Sequence, residues 1–285
     1  PRPAGEVTSL RRRVDALQAI VLGIVQGLTE FLPISSSGHL RIVPALFGWE
    51  DPGAAFTAII QLGTMAAVLI YFRADLWRIG RAWIAGLRDP AARRTADARL
   101  GWYIVLGTIP IALAGAIFSN QIENELRNLY VIGTALIVLG LVLRWADVIA
   151  KHERDLSTLD ARDGAVIGIA QALALVPGVS RSGATITAGL LRGLDREAAA
   201  RYSFLLSIPA IVLSGLYQLR HVVEGDGGAA VAPTIIATLL AFVTGYASIA
   251  FLLRYLLRHT LEIFVAYRIL LGTLVIVYAA TGVIS

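Results

Sequence analysis

Arg181 stands among hydroxyls in a segment otherwise suited to the inside of a membrane. It is the only charged residue between Gly164 and Leu191, within the run Pro177-Gly178-Val179-Ser180-Arg181-Ser182-Gly183-Ala184-Thr185. A charge at the bilayer centre costs about 2.5–3.5 kcal/mol on insertion scales, so such a residue marks a functional site by default. Pro177-Gly178 ends one helix, and the next opens with amides that lack a carbonyl partner, which is how backbone builds an anion site. The combination asks for a phosphate or a carboxylate. Gly178, Ser180, Ser182, Gly183 and Thr185 are its candidate phosphate contacts.

A second constellation supplies what the first lacks. In Gln26-Gly27-Leu28-Thr29-Glu30-Phe31-Leu32-Pro33-Ile34-Ser35-Ser36-Ser37-Gly38-His39, Gln26 and Glu30 are four apart and share one helix face. Beyond Pro33, the serines open a new helix with hydroxyls and free amides together, and His39 lies one turn in. A carboxylate, an imidazole and hydroxyls form an acid, base and nucleophile set. Each position also has a structural reading. Ser35 and Ser37 suit helix caps and are candidate phosphate contacts as well, Gly23 and Gly27 suit close helix packing, and Gln26 and Gln171 either hydrogen-bond helix to helix or give the site polar support, which their recurrence in both broken stretches favours. A Glu30–Arg181 salt bridge would neutralise both charges, yet a buried pair is costly to keep without a use. Arg41, Glu262 and Arg268 read as interfacial or structural charges.

The elements that must hold these residues are membrane helices. The chain is 56% hydrophobic and only 16% charged, with a mean hydropathy of +0.70, outside the range of soluble domains. Cysteine is absent, which excludes disulfides and thiolate metal sites. The net charge of +5 lies in short loops between apolar runs and reads as membrane orientation, with no nucleic-acid partner expected. Arg11-Arg12-Arg13 before an apolar run mimics a signal peptide, but Gln26, Glu30 and Pro33 follow where cleavage would fall, so the stretch reads as mature fold. Six runs predict spanning helices: Gly53 to Phe72, Gly101 to Ser119, Asn128 to Leu143, Tyr202 to Leu219, Pro233 to Leu253 and Leu261 to Ile284. Two more, Val14 to Phe47 and Gly164 to Leu191, are broken by proline and predict re-entrant hairpins.

The broken stretches resemble each other. Val21-Leu22-Gly23-Ile24-Val25-Gln26 recurs as Val166-Ile167-Gly168-Ile169-Ala170-Gln171, offset by 145 residues at the glutamines and 144 at the prolines, which calls for a one-residue gap. The expected architecture is a single all-α membrane domain over residues 1–285. Repeat one covers about 14–145 with its hairpin at 14–47, and repeat two about 163–285 with its hairpin at 164–191, each hairpin followed by three spans. Three is odd, so the second hairpin enters from the opposite face and the repeat is inverted, which lets the tips meet near the midplane. Arginine and lysine number seven from Arg73 to Arg99, four from Arg144 to Arg162, three from Arg192 to Arg201 and two at Arg254 and Arg258. Parity puts all four connections on one side, which the positive-inside rule makes cytoplasmic. The termini then face outward, against the pull of the Arg11 to Arg13 cluster.

These motifs resemble those of the bacterial undecaprenyl-pyrophosphate phosphatase family of the bacitracin-resistance type. Gln26 to Glu30 looks like its Glu/Gln-x-x-x-Glu motif, Pro177 to Thr185 like its Pro-Gly-x-Ser-Arg-Ser-x-x-Thr motif, and the serine run ending in Gly38-His39 also fits. The resemblance covers nearly the whole chain. It implies hydrolysis of undecaprenyl pyrophosphate to undecaprenyl phosphate and inorganic phosphate in the bacterial plasma membrane, recycling the carrier lipid for cell-wall synthesis; the orientation read from the basic connections makes the site open outward. It carries catalytic roles to Glu30, Ser36, His39 and Arg181. Ser36 is the preferred nucleophile with His39 as its base, and attack by His39 itself or by a water held by Glu30 stays open. The resemblance also implies a divalent cation, magnesium or calcium, with Glu30 as its one carboxylate ligand because Gln26 replaces the other; no preformed metal site is expected, since magnesium can ride on substrate phosphates. The expected partners are the polyprenyl pyrophosphate and membrane lipid, and a homodimer is left open. The same architecture serves secondary transporters, so a lipid-phosphate flippase or anion carrier is the rival reading. A lipid phosphatase of the phosphatidic-acid type is rejected, because its last motif needs a histidine where Thr187 stands.

Overall fold

The computed structural model describes residues 14–122, 126–221 and 231–284. The Arg11 to Arg13 cluster and most of the connection after Arg220 lie outside them. Twelve α-helices follow one another among the described residues: α1 (Ala16–Phe31), α2 (Ser36–Phe47), α3 (Gly53–Tyr71), α4 (Arg73–Arg88), α5 (Pro90–Arg93), α6 (Ala96–Asn120), α7 (Leu129–Ile149), α8 (Ala161–Ala172), α9 (Arg181–Leu191), α10 (Arg196–His221), α11 (Val231–Leu256) and α12 (Glu262–Ala280). Four of them, α6, α7, α11 and α12, are long and apolar enough to cross a membrane, and α3 joins them when it is taken with α4 as a bent pair. Large apolar side chains such as Leu113, Ile117 and Val148 stay exposed on these helices, as lipid contact requires. The expected run from Tyr202 to Leu219 falls inside α10.

The expected breaks are present. Asp15 and Gln18 form a reciprocal cap that starts α1, and the helix stops at extended Leu32, because the residue before a proline is pushed out of the helical region. At 1.5 Å per residue, α1 is about 24 Å long and α8 about 18 Å, too short to span alone. The Arg73 to Arg99 connection, expected as a loop, is mostly helical. It turns by 74° after α3 into α4, whose arginines alternate with Trp77, Ile84 and Leu87, a charged amphipathic pattern of the kind that lies along an interface.

Packing is alike in the two halves. The principal partner of α1 is α11, and that of α8 is α6; α3 also packs on α10, and α7 on α12. Gly23 and Gly27 are close-packing positions as expected. A Cβ on Gly27 would fall 1.9 Å from Thr244 Oγ1, and one on Gly168 would fall 2.5 Å from the Cα of Gly107. Phe31, the last residue of α1, is wedged edge-on against Phe204 of α10 at 5.3 Å between centroids, which anchors the helix end that carries Glu30.

The base of the second hairpin is fastened by ions. Asp163, fully buried on α8, accepts from Arg154 Nη2 and Arg192 Nε at 2.6 Å each. Arg154 also donates to the carbonyls of Arg192 and Thr158, so one cluster ties the connection after α7 to the end of α9. Burial pushes the Asp163 carboxyl up, but hydrogen bonds from Arg154, the Asp160 amide and Arg192 together hold it below the usual aspartate range. A carboxyl depressed in the native state stabilises the fold above its unfolded pKa of about 4, and that contribution is lost as the pH falls through the native value. Asp163→Asn leaves two arginines facing a neutral amide. The expected loss is about 2–3 kcal/mol, less than for a fully buried pair because both arginines reach solvent. Unfolding of the purified protein in detergent at pH 7 measures it, and the gap from wild type is expected to shrink below about pH 4.

Candidate active site

The two breaks build the same turn twice. Ser35 precedes α2 at φ 75° and Ser180 precedes α9 at φ 72°, the left-handed region that non-glycine residues rarely occupy. Each serine caps its helix: Ser35 Oγ accepts from the amide of Gly38, and Ser180 Oγ from that of Gly183. Ser37 Oγ lies 3.3 Å from Ser35 Oγ, and Ser182 Oγ lies 3.1 Å from Ser180 Oγ. These pairs fix a uniform offset of 145 from the glutamines through the caps to the glycines. The gap expected at the prolines is unnecessary, because Pro33 corresponds to Gly178 and the prolines themselves are one position out of step. In that register Ser36 and Arg181 are counterparts.

The tips meet. Arg181 donates through Nη2 to Glu30 Oε1 in an ion pair across the two hairpins, and Ser182 Oγ donates to the Leu32 carbonyl at 3.1 Å. Glu30 is the hub. Its Oε2 accepts from Ser36 Oγ at 2.6 Å and from Gln26 Nε2 at 3.0 Å, and its Oε1 also lies 3.4 Å from Gln61 Nε2 on α3. Ser36 is part-buried, Ser37 is exposed and Arg181 is part-buried, so the hydroxyl side of the junction is open while Glu30 is enclosed. The first-turn amides of α2 and α9 have no intrahelical carbonyl, and the positive ends of both helix dipoles lie at this junction. The arrangement can bind an anion between Ser36 and Arg181 and can remove a proton from Ser36.

Several expected roles change. His39 does not meet Ser36. Its Nδ1 donates to the Ser35 carbonyl at 2.7 Å, which as a pure acceptor fixes the tautomer, and its Nε2 is 2.6 Å from the hydroxyl of Tyr267, against which the ring stacks. With both nitrogens engaged, His39 braces the Ser35 cap, and the group in place to act as base for Ser36 is Glu30. Thr185 is fully buried between the Arg181 carbonyl at 2.8 Å and Ser203 Oγ at 2.6 Å, so it ties α9 to α10 and does not face the junction. Ser35, Ser180 and Ser182 are buried in caps and tip contacts. Gly183 gives its amide to a cap, and a Cβ there would fall 2.7 Å from Arg268 Nη1. Gly178, at φ 94°, would clash with the Ile132 carbonyl at 2.6 Å, so it is the turn that needs glycine. Gln26 supports Glu30 as expected, whereas Gln171 donates to the Gly107 carbonyl at 3.4 Å and serves helix packing. Gln61 was not anticipated, although a glutamine and Thr64 three residues apart in an apolar run were a visible polar face. Tyr267 gave no such signal.

The cation implied by the resemblance finds no ready cage. Among the described residues no three His, Asp or Glu side chains cluster to hold one, and both Glu30 oxygens already serve four donors, one of them a guanidinium. The residues do not fit a resident divalent ion.

The family described as "Bacitracin resistance protein BacA" matches residues 19–274. The chain belongs to that family. It is 56% identical to an "Undecaprenyl-diphosphatase" of Nocardioides sp., over 95% of this chain and 99% of that protein. Proteins of the same name from Myxococcus xanthus and Thermobifida fusca are 53% and 51% identical, covering 95% of this chain and 92% and 93% of their own lengths. The family match takes in the tips of both hairpins, so Glu30, Ser36 and Arg181 all lie inside it.

Proposed function

We propose that this chain hydrolyses undecaprenyl pyrophosphate to undecaprenyl phosphate and inorganic phosphate, returning the carrier lipid to cell-wall synthesis. One observation carries the chemistry: Ser36 is hydrogen-bonded at 2.6 Å to a carboxylate whose other oxygen is held by Arg181 of the opposite hairpin. Ser36 Oγ bonds to the terminal phosphorus as the bond to the bridging oxygen breaks, and its proton passes to Glu30 Oε2. The departing undecaprenyl phosphate carries its charge on phosphate oxygens and needs little protonation, so most of the work is positioning and charge stabilisation. Water then attacks the phosphoserine, Glu30 returns its proton to Ser36 Oγ, and dihydrogen phosphate leaves. Arg181 and the open amides of α2 and α9 hold the non-bridging oxygens. Substrate thereby draws Arg181 from Glu30 Oε1 onto its own phosphate oxygens, while Oε2 stays on the Ser36 hydroxyl.

The divalent cation is read as one carried on the substrate's own phosphates. Two inverted repeats, residues 14–145 and 163–285, are supported by the matching turns and by the like packing of α1 and α8. A plasma-membrane location with the site opening outward is supported by the basic connections on one side of the parity scheme. Purified protein in detergent is expected to release phosphate stoichiometrically from the pyrophosphate lipid. Lipid movement in vesicles with no phosphate released would favour the carrier reading and sink this one.

A further inference from the structure

Arg268 of α12 is fully buried, and among the described residues no carboxylate pairs with it. Its contacts all end on main-chain carbonyls. Nη1 donates to Pro33 at 3.1 Å, Nη2 faces Gly178 at 3.1 Å, Val179 at 3.0 Å and Ala135 at 3.3 Å, and Nε donates to Leu136 at 3.2 Å. Pro33 lies two residues before the α2 cap and Val179 one before the α9 cap, so a single guanidinium grips both tips from behind and fastens them to α7. Burying a cation with no counter-ion costs several kcal/mol, a penalty that neutral donors such as glutamine would largely avoid. A cation adds a fixed positive charge behind two helix N-termini whose proposed ligand is a multiply charged anion. Tyr267, the preceding residue, braces His39, so α12 supports the first hairpin through two residues and the second through Arg268.

We propose that Arg268 is a positioning residue of the reaction, setting the register between Ser36 on one tip and Arg181 on the other and holding a permanent positive charge behind the phosphate. The proposal rests on the phosphatase reading above. Arg268 touches carbonyls and not substrate, so its loss should act on the geometry of attack more than on binding.

The test is steady-state phosphate release by the full chain in detergent, with kcat expressed per folded molecule by size exclusion and thermal unfolding. Arg268→Lys keeps the charge but cannot fork across both turns. It is expected to lower kcat about 100-fold, the scale of a 1 Å misplacement, with KM within about threefold of wild type. Gly140 on α7 offers a second route to the same group, because the atoms nearest a Cβ built there are Arg268 Cβ, Nε and Cδ at 3.4, 3.7 and 3.8 Å. Gly140→Ala fits at ordinary contact and is expected to match wild type. Gly140→Leu presses on the arginine and is expected to lower kcat about tenfold, with little further loss in the Arg268→Lys background, because both changes act through one group. Unchanged kcat in the lysine and leucine variants, or losses that simply multiply in the double variant, would overturn the proposal. Where Arg268→Lys does not fold, Gly140→Leu decides alone, and unchanged kcat overturns it. Wild-type protein that released no phosphate would defeat the phosphatase reading itself.

Discussion

Ser36→Ala is expected to lower kcat by about 10³-fold or more and to leave the protein folded. The two halves of that expectation come from different atoms. The cap of α2 is Ser35, whose Oγ takes the Gly38 amide, so removing the Ser36 hydroxyl costs α2 nothing at its start. Ser35→Ala, by contrast, loses the cap and about 1 kcal/mol with it. The catalytic loss is large only if Ser36 forms the bond to phosphorus. Were a water held by Glu30 the attacking group, Ser36 would be one hydrogen-bond donor among four on that carboxylate, and its removal would cost roughly tenfold. Phosphate release by Ser36→Ala, read beside an acid-quench search for a phosphorylated enzyme, separates these. A tenfold loss with no label on Ser36 would overturn the covalent route.

The sequence made the ligand class legible and left the division of labour hidden. A lone Arg181 in an apolar run and a proline break beside Glu30 sufficed to suggest an anion site on two hairpins, and their ion pair was foreseeable once the segments were read as entering from opposite faces. Helix spacing also joined Gln26 to Glu30. Spacing could not join His39 to Tyr267, which lie 228 positions apart, and a histidine one turn beyond a serine run suggests a base by proximity alone. Arg268 carried the same ambiguity. A charge near one end of an apolar run reads as interfacial until its partners are known, and five backbone carbonyls leave no trace in a sequence. The α4 segment was missed because a run rich in arginine looks like a loop when only spans are sought.

The repeated turn shows how one backbone solution supports two chemistries. Both tips carry a positive-φ serine cap, a glycine three residues on and an open helix N-terminus. The residue between cap and second serine is Ser36 in one and Arg181 in the other, the first helical position in each case. An open helix N-terminus suited to an anion is common to both turns, while the proposed nucleophile and the proposed clamp are single-residue differences. Glu30 has no counterpart, since the matching position is Leu175, so of these two positions only the first carries a carboxylate.

Glu30 and Arg181 should respond to substitution with opposite effects on binding. Glu30→Gln removes the base and is expected to lower kcat by about 10²–10⁴-fold. It also removes the anion that competes with substrate for Arg181, so the dissociation constant for the pyrophosphate lipid is expected to fall, by up to about tenfold. Arg181→Met should lower kcat/KM by about 10³-fold and weaken binding, because the clamp is lost and Glu30 then repels the phosphate. Stability separates the pair in a second way. Arg181→Met alone leaves an enclosed carboxylate with only neutral donors, at a cost of about 3 kcal/mol. Adding Glu30→Gln removes that stranded charge, so the double variant should be more stable than Arg181→Met alone while remaining inactive. Equilibrium binding of the lipid and unfolding in detergent measure both effects. If Glu30→Gln bound substrate more weakly than wild type, Glu30 would be holding substrate rather than competing with it, and the exchange of Arg181 between carboxylate and phosphate would have to be abandoned.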